Sequence, residues 1–543
     1  MATPEALQQL LPTLPTPIIL DLLRLRVCLR CIFRFLSVRS PVYAISLPTP
    51  ATFLEQLSSM NGNTAKEEDL LKRRDVETPG ETKPCLVCLG TLEHLDHKEE
   101  EFHLQGSGDS TNAGQDAVLC VSRAVQQGDH TFDSYCLEIS LPAVILVRER
   151  GLWCYLKDKY KNEAIFNGQD VNDHIISLKE ALKWSLIDRL EQSLSVKFDA
   201  NSTFRIALVY KHPGSVSDNE FLAVAAGGDA KRRRQGTGQN DPNNNKGFAA
   251  VVAARAAAEA GESLGSVQRV LASMSNDSFM RRYNCPPSEV AVSCQLTAMC
   301  WRNSIYVGGR YLKLSRNISQ SRWLIDDERM GDGSVQEIIG DVVFPYHKAD
   351  SYKFHAAGRE DIDVRMLGNG RPFILEICNA RVIPSASDMI KAEAEINNRD
   401  EGWVKVRGLR QVGSEVCALM REGETEKQKQ YAAVVWLDRP LTEADFKCLS
   451  DLKELEVQQK TPIRVLHRRS PLTRPRTIHW MRCERIEGSE NYFLLHLCTQ
   501  AGTYIKEFVH GDLGRTYPNV GSLLGCGAEI LQLDVTDVKM DFD

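Results

Sequence analysis

Two Cys-x-x-Cys pairs constrain the fold of this chain more than any other feature. They are Cys28-Leu29-Arg30-Cys31 and Cys85-Leu86-Val87-Cys88, set roughly 50 residues apart. Each pair can supply two thiolates to one tetrahedral ion. Four thiolates close such a site, leaving no open position for chemistry, so the expected role is a structural Zn2+. A redox role would need a βαβ setting that neither pair shows, and buried, inert thiols are the remaining alternative. Lys66, Glu67, Glu68 and Asp69 lie between the pairs and fit a helical excursion between two knuckles. The other cysteines, of 16 in all, have no ligand spacing. The apolar start through Ile18-Ile19-Leu20 is interrupted by Pro15, Pro17 and Asp21 and runs into Arg24, Arg26, Arg30 and Arg34. It therefore fits neither a cleaved signal nor a membrane span, and reads as an amphipathic helix. A reducing compartment follows, where thiols serve as metal ligands more often than as disulfides.

A length of 543 residues allows two or three domains, and 43% hydrophobic with 25% charged residues is ordinary for a globular protein. A net charge of −6 does not advertise a nucleic-acid partner. The average hides a local bias, however. Between Val457 and Cys483 there is no acidic residue, whereas Lys460, Arg464, Arg468, Arg469, Arg474, Arg476 and Arg482 are basic, with His467 and His479 beside them. Such a run can neutralise backbone phosphates; the alternative is an ordinary solvated face.

Three segments of the first half predict an α+β module. Tyr135 to Val147 reads as a strand, Leu178, Leu182, Leu186, Leu190 and Leu194 form one helical stripe, and Thr203 to Tyr210 reads as another strand. Residues 214–262 read as a linker or insertion, with Lys231-Arg232-Arg233-Arg234, a Gly/Asn/Pro-rich stretch and an alanine tract. The basic cluster fits an import address, an RNA contact or a plain loop equally. A helix is predicted from Val267 to Tyr283, stopped by Cys285-Pro286-Pro287. From Val290 onward strands and helices alternate without a parallel rhythm, a Gly-x-Gly-x-x-Gly fingerprint or a P-loop. Ala432–Leu437 and Tyr492–Leu497 read as core strands.

The candidate chemistry lies in two segments of this second half. Gly358-Arg359-Glu360-Asp361-Ile362-Asp363-Val364-Arg365 leads into Leu367-Gly368-Asn369-Gly370-Arg371. A guanidinium beside a carboxylate favours the ionised form, and the glycine turn is expected to present Arg371 to an anion. A hairpin face decorated with exposed ion pairs is the plain alternative. The other segment is Gly502-Thr503-Tyr504-Ile505-Lys506-Glu507-Phe508-Val509-His510-Gly511-Asp512, where Thr503 can cap a helix, and Tyr504 and Lys506 would share one face of an extended stretch.

Together these segments resemble the core of pseudouridine synthases. Arg359-Glu360-Asp361 is similar to that superfamily's Arg-x-Asp motif, and Gly502–Lys506 to its Gly-Thr-Tyr-x-(Arg/Lys) motif. Gly308–Asn317, Lys460–Arg469 and Ile505–Asp512 narrow the resemblance to the archaeal and eukaryotic tRNA pseudouridine synthases of the T-loop uridines, the tenth eukaryotic class. The resemblance implies a catalytic Asp361 with Lys506 as its basic partner. It implies that Tyr431, in Lys429-Gln430-Tyr431, and Tyr504 hold the substrate base, and Arg359 and Arg371 its phosphates. It also implies a zinc site of Cys28, Cys31, Cys85 and Cys88.

The expected architecture is α+β, a mixed antiparallel-sheet pseudouridine synthase catalytic domain over 263–543. A zinc-binding, THUMP-containing α+β accessory domain spans 1–213, with the linker at 214–262. The expected partner is tRNA, modified at T-loop positions 54/55, with structural Zn2+, no organic cofactor, no membrane and a monomeric chain in nucleus and/or cytoplasm. A non-catalytic tRNA-binding factor on the same fold is the competing reading. Intact Asp361, Lys506 and both tyrosines weigh against it, and a missing glycine-rich S-adenosylmethionine or ATP loop weighs against other THUMP-type enzymes.

Overall fold

The computed structural model describes residues 4–39, 41–61, 83–93, 95, 116–166, 174–226, 264–467 and 469–542. The segment around Lys66–Asp69, the Lys231–Arg234 cluster and the tract that follows it lie outside them. The chain divides into two compact units, Met1–Asn303 and Ser304–Asp543. Among the described residues no helix is long and apolar enough to cross a membrane.

In the first unit, strands β1 (Ser134–Ser140), β2 (Lys197–Phe198), β3 (Phe204–Lys211) and β4 (Gln295–Arg302) form a sheet in the order β2-β1-β3-β4. β1 is parallel to β2 and β3, and β4 is antiparallel to β3. The expected strand through Val147 stops at Ser140. Pro142 has no N–H to give a ladder, and Val144 begins a helix to Lys159 that buries Val144, Ile145 and Val147. A helix buried on most sides has the same unbroken apolar run as a buried strand. The leucine stripe is a helix from Leu178 to Leu194, started by Ser177, whose hydroxyl accepts from the Glu180 N–H.

Three boundaries move. Val216–Ala226 is helical, so the linker does not begin at residue 214. The helix predicted from Val267 to Tyr283 is two, Leu264–Ala272 and Asn276–Met280, because Ser275 caps a new start on the Ser278 N–H. Finally, β4 pairs with β3 along its full length, from Phe204↔Arg302 to Lys211↔Gln295. Residues 264–303 therefore complete the first unit rather than opening the second.

The second unit is built on a ten-stranded sheet. Its strands are β5 (Ile305–Lys313), β6 (Ser351–Ala356), β7 (Arg365–Cys378), β8 (Val404–Val412), β9 (Lys429–Leu437), β10 (Lys453–Lys460), β11 (Thr473–Arg485), β12 (Tyr492–Thr499), β13 (Thr516–Tyr517) and β14 (Ala528–Val538). The order is β8-β5-β7-β14-β9-β12-β11-β10-β13, with β6 on β7. Only β7 and β14 pair in parallel, so the expected mixed, mainly antiparallel sheet is what forms. Period-two burial positions it: Phe493, Leu495 and Leu497 of β12 are fully buried, while Leu494 and His496 between them are not. Each such burial contributes on the order of 1.5–3 kcal/mol. β7 carries a bulge between Met366 and Arg371, where Gly368 and Gly370 have positive φ and a Cβ on Gly368 would lie 1.8 Å from the Thr536 carbonyl oxygen. The loop between β6 and β7 holds the candidate carboxylates.

Candidate active site

The main chain of that loop is pinned almost carbonyl by carbonyl. Gln320 donates to the Gly358 carbonyl at 2.8 Å. The Lys313 ammonium, fully buried at the end of β5, donates to the carbonyls of Ile318 at 2.8 Å, Ile362 at 2.7 Å and Asp361 at 3.4 Å. Burial pushes its pKa down to about 8, against the pull of Glu360, Asp363 and Asp361. Arg316 donates to the Asp363 carbonyl at 2.9 Å and to the Asp534 carboxylate at 2.6 Å, and Val364 N–H closes a turn on the Asp361 carbonyl. Gly358 has φ +98°, and a Cβ there would sit 2.8 Å from an Arg371 Nη atom, so no other residue fits without moving the guanidinium.

Glu360 and Arg371 face inward. Their side chains are 0% and 1% exposed and paired at 2.9 Å. Tyr311 donates to both Glu360 oxygens, at 2.8 and 3.0 Å, Gln320 donates to the Tyr311 hydroxyl, and Arg371 donates to the Ala357 carbonyl. The expectation that the glycine turn presents Arg371 to phosphate is thus corrected: the bulge turns it into the core, where it holds the loop from beneath. Glu360→Gln should therefore destabilise the chain by about 3–5 kcal/mol, read as a lower urea midpoint with unchanged slope, because a buried guanidinium loses its counter-charge.

Asp361 and Asp363 point outward from this platform, with side chains 40% and 58% exposed. Two cations meet them. Arg464, on the short turn Ile463–Val465, reaches Asp361 Oδ2 at 3.1 Å, and Lys506 reaches the same oxygen at 3.5 Å. Lys506 lies closer to Asp363, donating at 2.8 and 2.9 Å. Burial pushes the Asp363 carboxyl up, but Lys506 overcomes it and holds it below the usual carboxylate range. Arg464 is anchored from behind by Glu507, 2.8 Å from its Nε and 2% exposed. Sequence reasoning placed Lys506 as the partner of Asp361 and counted Arg464 among phosphate contacts; the structure gives Asp361 both, with Arg464 the nearer.

Tyr504 flanks this cluster, and Tyr431 lies on the side of the inward-facing Arg371 and Glu360. Tyr504 caps the helix Ile505–His510 without a side-chain bond, and Lys506 sits in the first helical turn, so the two do not alternate on an extended stretch. Thr503, expected as the cap, instead donates to the Gln500 carbonyl at 2.7 Å. The Tyr504 hydroxyl accepts from Arg469 at 3.1 Å, and Arg464 lies 5.9 Å over its ring. Tyr431 is half-buried near the entry of β9, its hydroxyl pushed up to about 12 by burial, against the Arg371 charge. Lys429, two residues before it, is buried and donates to the Gly423, Glu424 and Lys427 carbonyls. Arg359 is exposed, and among the described residues no carboxylate pairs with Lys460, Arg469, Arg474 or Arg476. Arg468 lies outside the described residues.

In the first unit the sulfurs of Cys28, Cys31, Cys85 and Cys88 all lie within 4.8 Å of one another, with Cys28 and Cys88 3.8 Å apart. Zinc–sulfur bonds of about 2.3 Å in a tetrahedron set sulfurs roughly 3.8 Å apart. The donor set therefore fits a four-thiolate ion. Its surroundings are built for it: the Cys28 N–H donates to Cys85 Sγ at 3.4 Å and Arg34 to Cys31 Sγ at 3.6 Å. Arg30 and Arg34 are buried rather than solvated, Arg30 on the Leu92 and Ile45 carbonyls, Arg34 on the Ile176 carbonyl and the Glu149 carboxylate.

The Gly358–Arg365 and Gly502–Asp512 segments thus build an outward carboxylate between two cations, on a pinned loop of a mixed sheet and beside Tyr504. Comparison with known proteins gives the class. The family models for "Pus10, C-terminal" and "Eukaryotic Pus10, N-terminal" match residues 306–539 and 85–300. The tRNA pseudouridine synthase Pus10 of Xenopus laevis is 36% identical over 535 residues, covering 95% of each chain. That of Homo sapiens is 38% identical over 459 residues, covering 84% of this chain and 78% of its own. Among solved structures, a chain from "Crystal Structure of a Cbf5-Nop10-Gar1 Complex" aligns over 42% of this chain and 48% of its own, with 16% identity and a TM-score of 0.25, too slight a match to bear on the site. This chain belongs to the Pus10 family.

Proposed function

We propose that the chain isomerises uridine to pseudouridine in the T-loop of tRNA, at position 54, 55 or both, with Asp361 as the catalytic residue. One observation carries the reading: Asp361 projects from a loop whose carbonyls are fixed by Lys313, Gln320 and Arg316, and one of its carboxylate oxygens is met by both Arg464 and Lys506. In the reaction the N1–C1′ bond breaks, the uracil turns, a C5–C1′ bond forms, and the C5 proton passes to solvent while N1 gains one. Asp361 acts as nucleophile at C1′ or as base at C2′; a primary isotope effect with deuterium at C2′ marks the second.

The target base must leave its stack, at a cost of a few kcal/mol. Tyr504 and Tyr431 offer the faces that hold it, each such stack contributing about 1–3 kcal/mol. Lys460, Arg469, Arg474 and Arg476 meet phosphates, which fixes register without reading bases. The four-cysteine cluster, in the other unit of the chain, holds a structural Zn2+. The test is tritium release from T-arm RNA labelled at C5 of uridine. Release from a wild-type T-arm, reduced or lost when both uridines are replaced by cytidine, is the expected result. Tight tRNA binding without release on any RNA would instead favour the non-catalytic binding factor.

A further inference from the structure

Resting on Asp361 as the catalytic group, a further role can be read from its nearest cation. Arg464 spans two carboxylates at once: its Nη1 lies 3.1 Å from Asp361 Oδ2, and its Nε donates to Glu507 Oε1 at 2.8 Å. The two acids differ. Asp361 is 40% exposed and on the substrate side, whereas Glu507 is 2% exposed at the base of the helix Ile505–His510. The second oxygen of Glu507, Oε2, is buried with no hydrogen-bond partner. An orphaned carboxylate oxygen is costly, and guanidinium is the group whose fork fits both oxygens of a carboxylate. Lys506, by contrast, has its best partner in Asp363 and does not depend on Asp361 for its charge.

We propose that Arg464 is a two-station positioning residue: it covers Asp361 in the empty enzyme and moves onto Glu507, filling the vacant Oε2, when a uridine enters. A carboxylate held by two cations is a poor nucleophile and a poor base, so one of them must withdraw before chemistry. Arg464 is the one with somewhere to go. Its side chain is 40% exposed and it rides on a three-residue turn rather than a strand, whereas Lys506 is fixed in a helix and 22% exposed. In this view Glu507 is the receiver, and its buried charge is what draws the arginine off the catalytic acid.

The test is a double-mutant cycle on the full chain, following kcat and KM for tritium release and tRNA binding by anisotropy. Glu507→Gln keeps the shape but weakens the receiving station, so Arg464 stays on Asp361. The expected result is a fall in kcat on the order of 100-fold with tRNA affinity within about threefold. Arg464→Gln alone should lower kcat about 10-fold, since the helix that carries Lys506 loses its Arg464–Glu507 brace. The double variant should match Arg464→Gln, about 10-fold faster than Glu507→Gln, because without the arginine there is nothing to withdraw. Additive losses, or a double variant as slow as Glu507→Gln, overturn the proposal and leave Glu507 a plain structural anchor. If Glu507→Gln melts early, Glu507→Asp serves as the single variant, with the same recovery expected in its Arg464→Gln double. A wild-type chain that releases no tritium would sink the proposed reaction instead, a different outcome from any of these.

Discussion

Asp361→Asn should abolish pseudouridine formation, with a loss in kcat of at least roughly 10³-fold, while the protein folds and binds tRNA as before. The swap is nearly isosteric, and its side chain is 40% exposed, so little stability is at stake. The main-chain carbonyl of Asp361, which Lys313 holds, is untouched by it. What disappears is the negative charge that Arg464 and Lys506 address and that the reaction needs at C1′ or C2′. Asp363→Asn is the control that gives the result its meaning. Asp363 holds Lys506 at 2.8 Å, so its loss should slow turnover by about 10-fold through a less well placed lysine, without ending it. The reverse ranking, with Asp363→Asn dead and Asp361→Asn active, would reassign the catalytic role. Measurement of tritium release under single-turnover conditions, with binding followed in parallel, separates chemistry from affinity.

Loss of metal carries the other large effect, and it falls on stability rather than on chemistry. Cys28→Ser or Cys85→Ser should each lower bound zinc from one ion per chain to well below half by elemental analysis, and should drop the melting temperature of the purified chain by several degrees or more. The reason is local: Cys28 and Cys85 stand 57 positions apart in the chain, so an ion held by Cys28, Cys31, Cys85 and Cys88 would tie two distant segments together. Binding energy of a structural zinc is folding energy, about 10–16 kcal/mol in small zinc-finger peptides, and a larger unit with its own core would feel a fraction of it. Removal by a chelator should copy the substitutions. Unchanged zinc in both variants would refute the site. Turnover per folded molecule should hardly change, since no cysteine of the cluster belongs to the Ser304–Asp543 unit that contains Asp361.

The parts of this architecture that the sequence made legible are those encoded locally. A Cys-x-x-Cys knuckle declares itself in four residues, and so does a leucine stripe at helical spacing. Asp361 and Lys506 stand in short motifs of fixed order. What was not legible depends on partners far away in the chain. Arg371 looks like a displayed cation because nothing near it says that Glu360 turns inward to meet it, or that Tyr311 and Gln320 complete the network from some 40 to 60 residues upstream. Lys313 gives no hint in its own neighbourhood that its ammonium serves two carbonyls of the loop that carries Asp361, nearly 50 positions on. Arg464 was hidden inside a basic run, since its anchor Glu507 lies 43 positions on. The boundary at Asn303 was missed for the same reason: β4 shows its allegiance only in its ladder with β3. Composition sees charges and apolar runs, but not which side of a surface they face.

That ladder has a consequence for how the chain comes into being. β4 is the last strand of the first sheet to be synthesised, after the long stretch 227–263, and until residue 302 clears the ribosome β3 stands as an open edge. The nascent first unit therefore cannot reach its final form by the time its helix Val216–Ala226 is complete. It must wait through roughly 80 further residues, a delay of about 4–16 s at 5–20 residues per second. Any proteolytic or engineered fragment that stops before Gln295 would keep that edge for good, and would meet its own copies there.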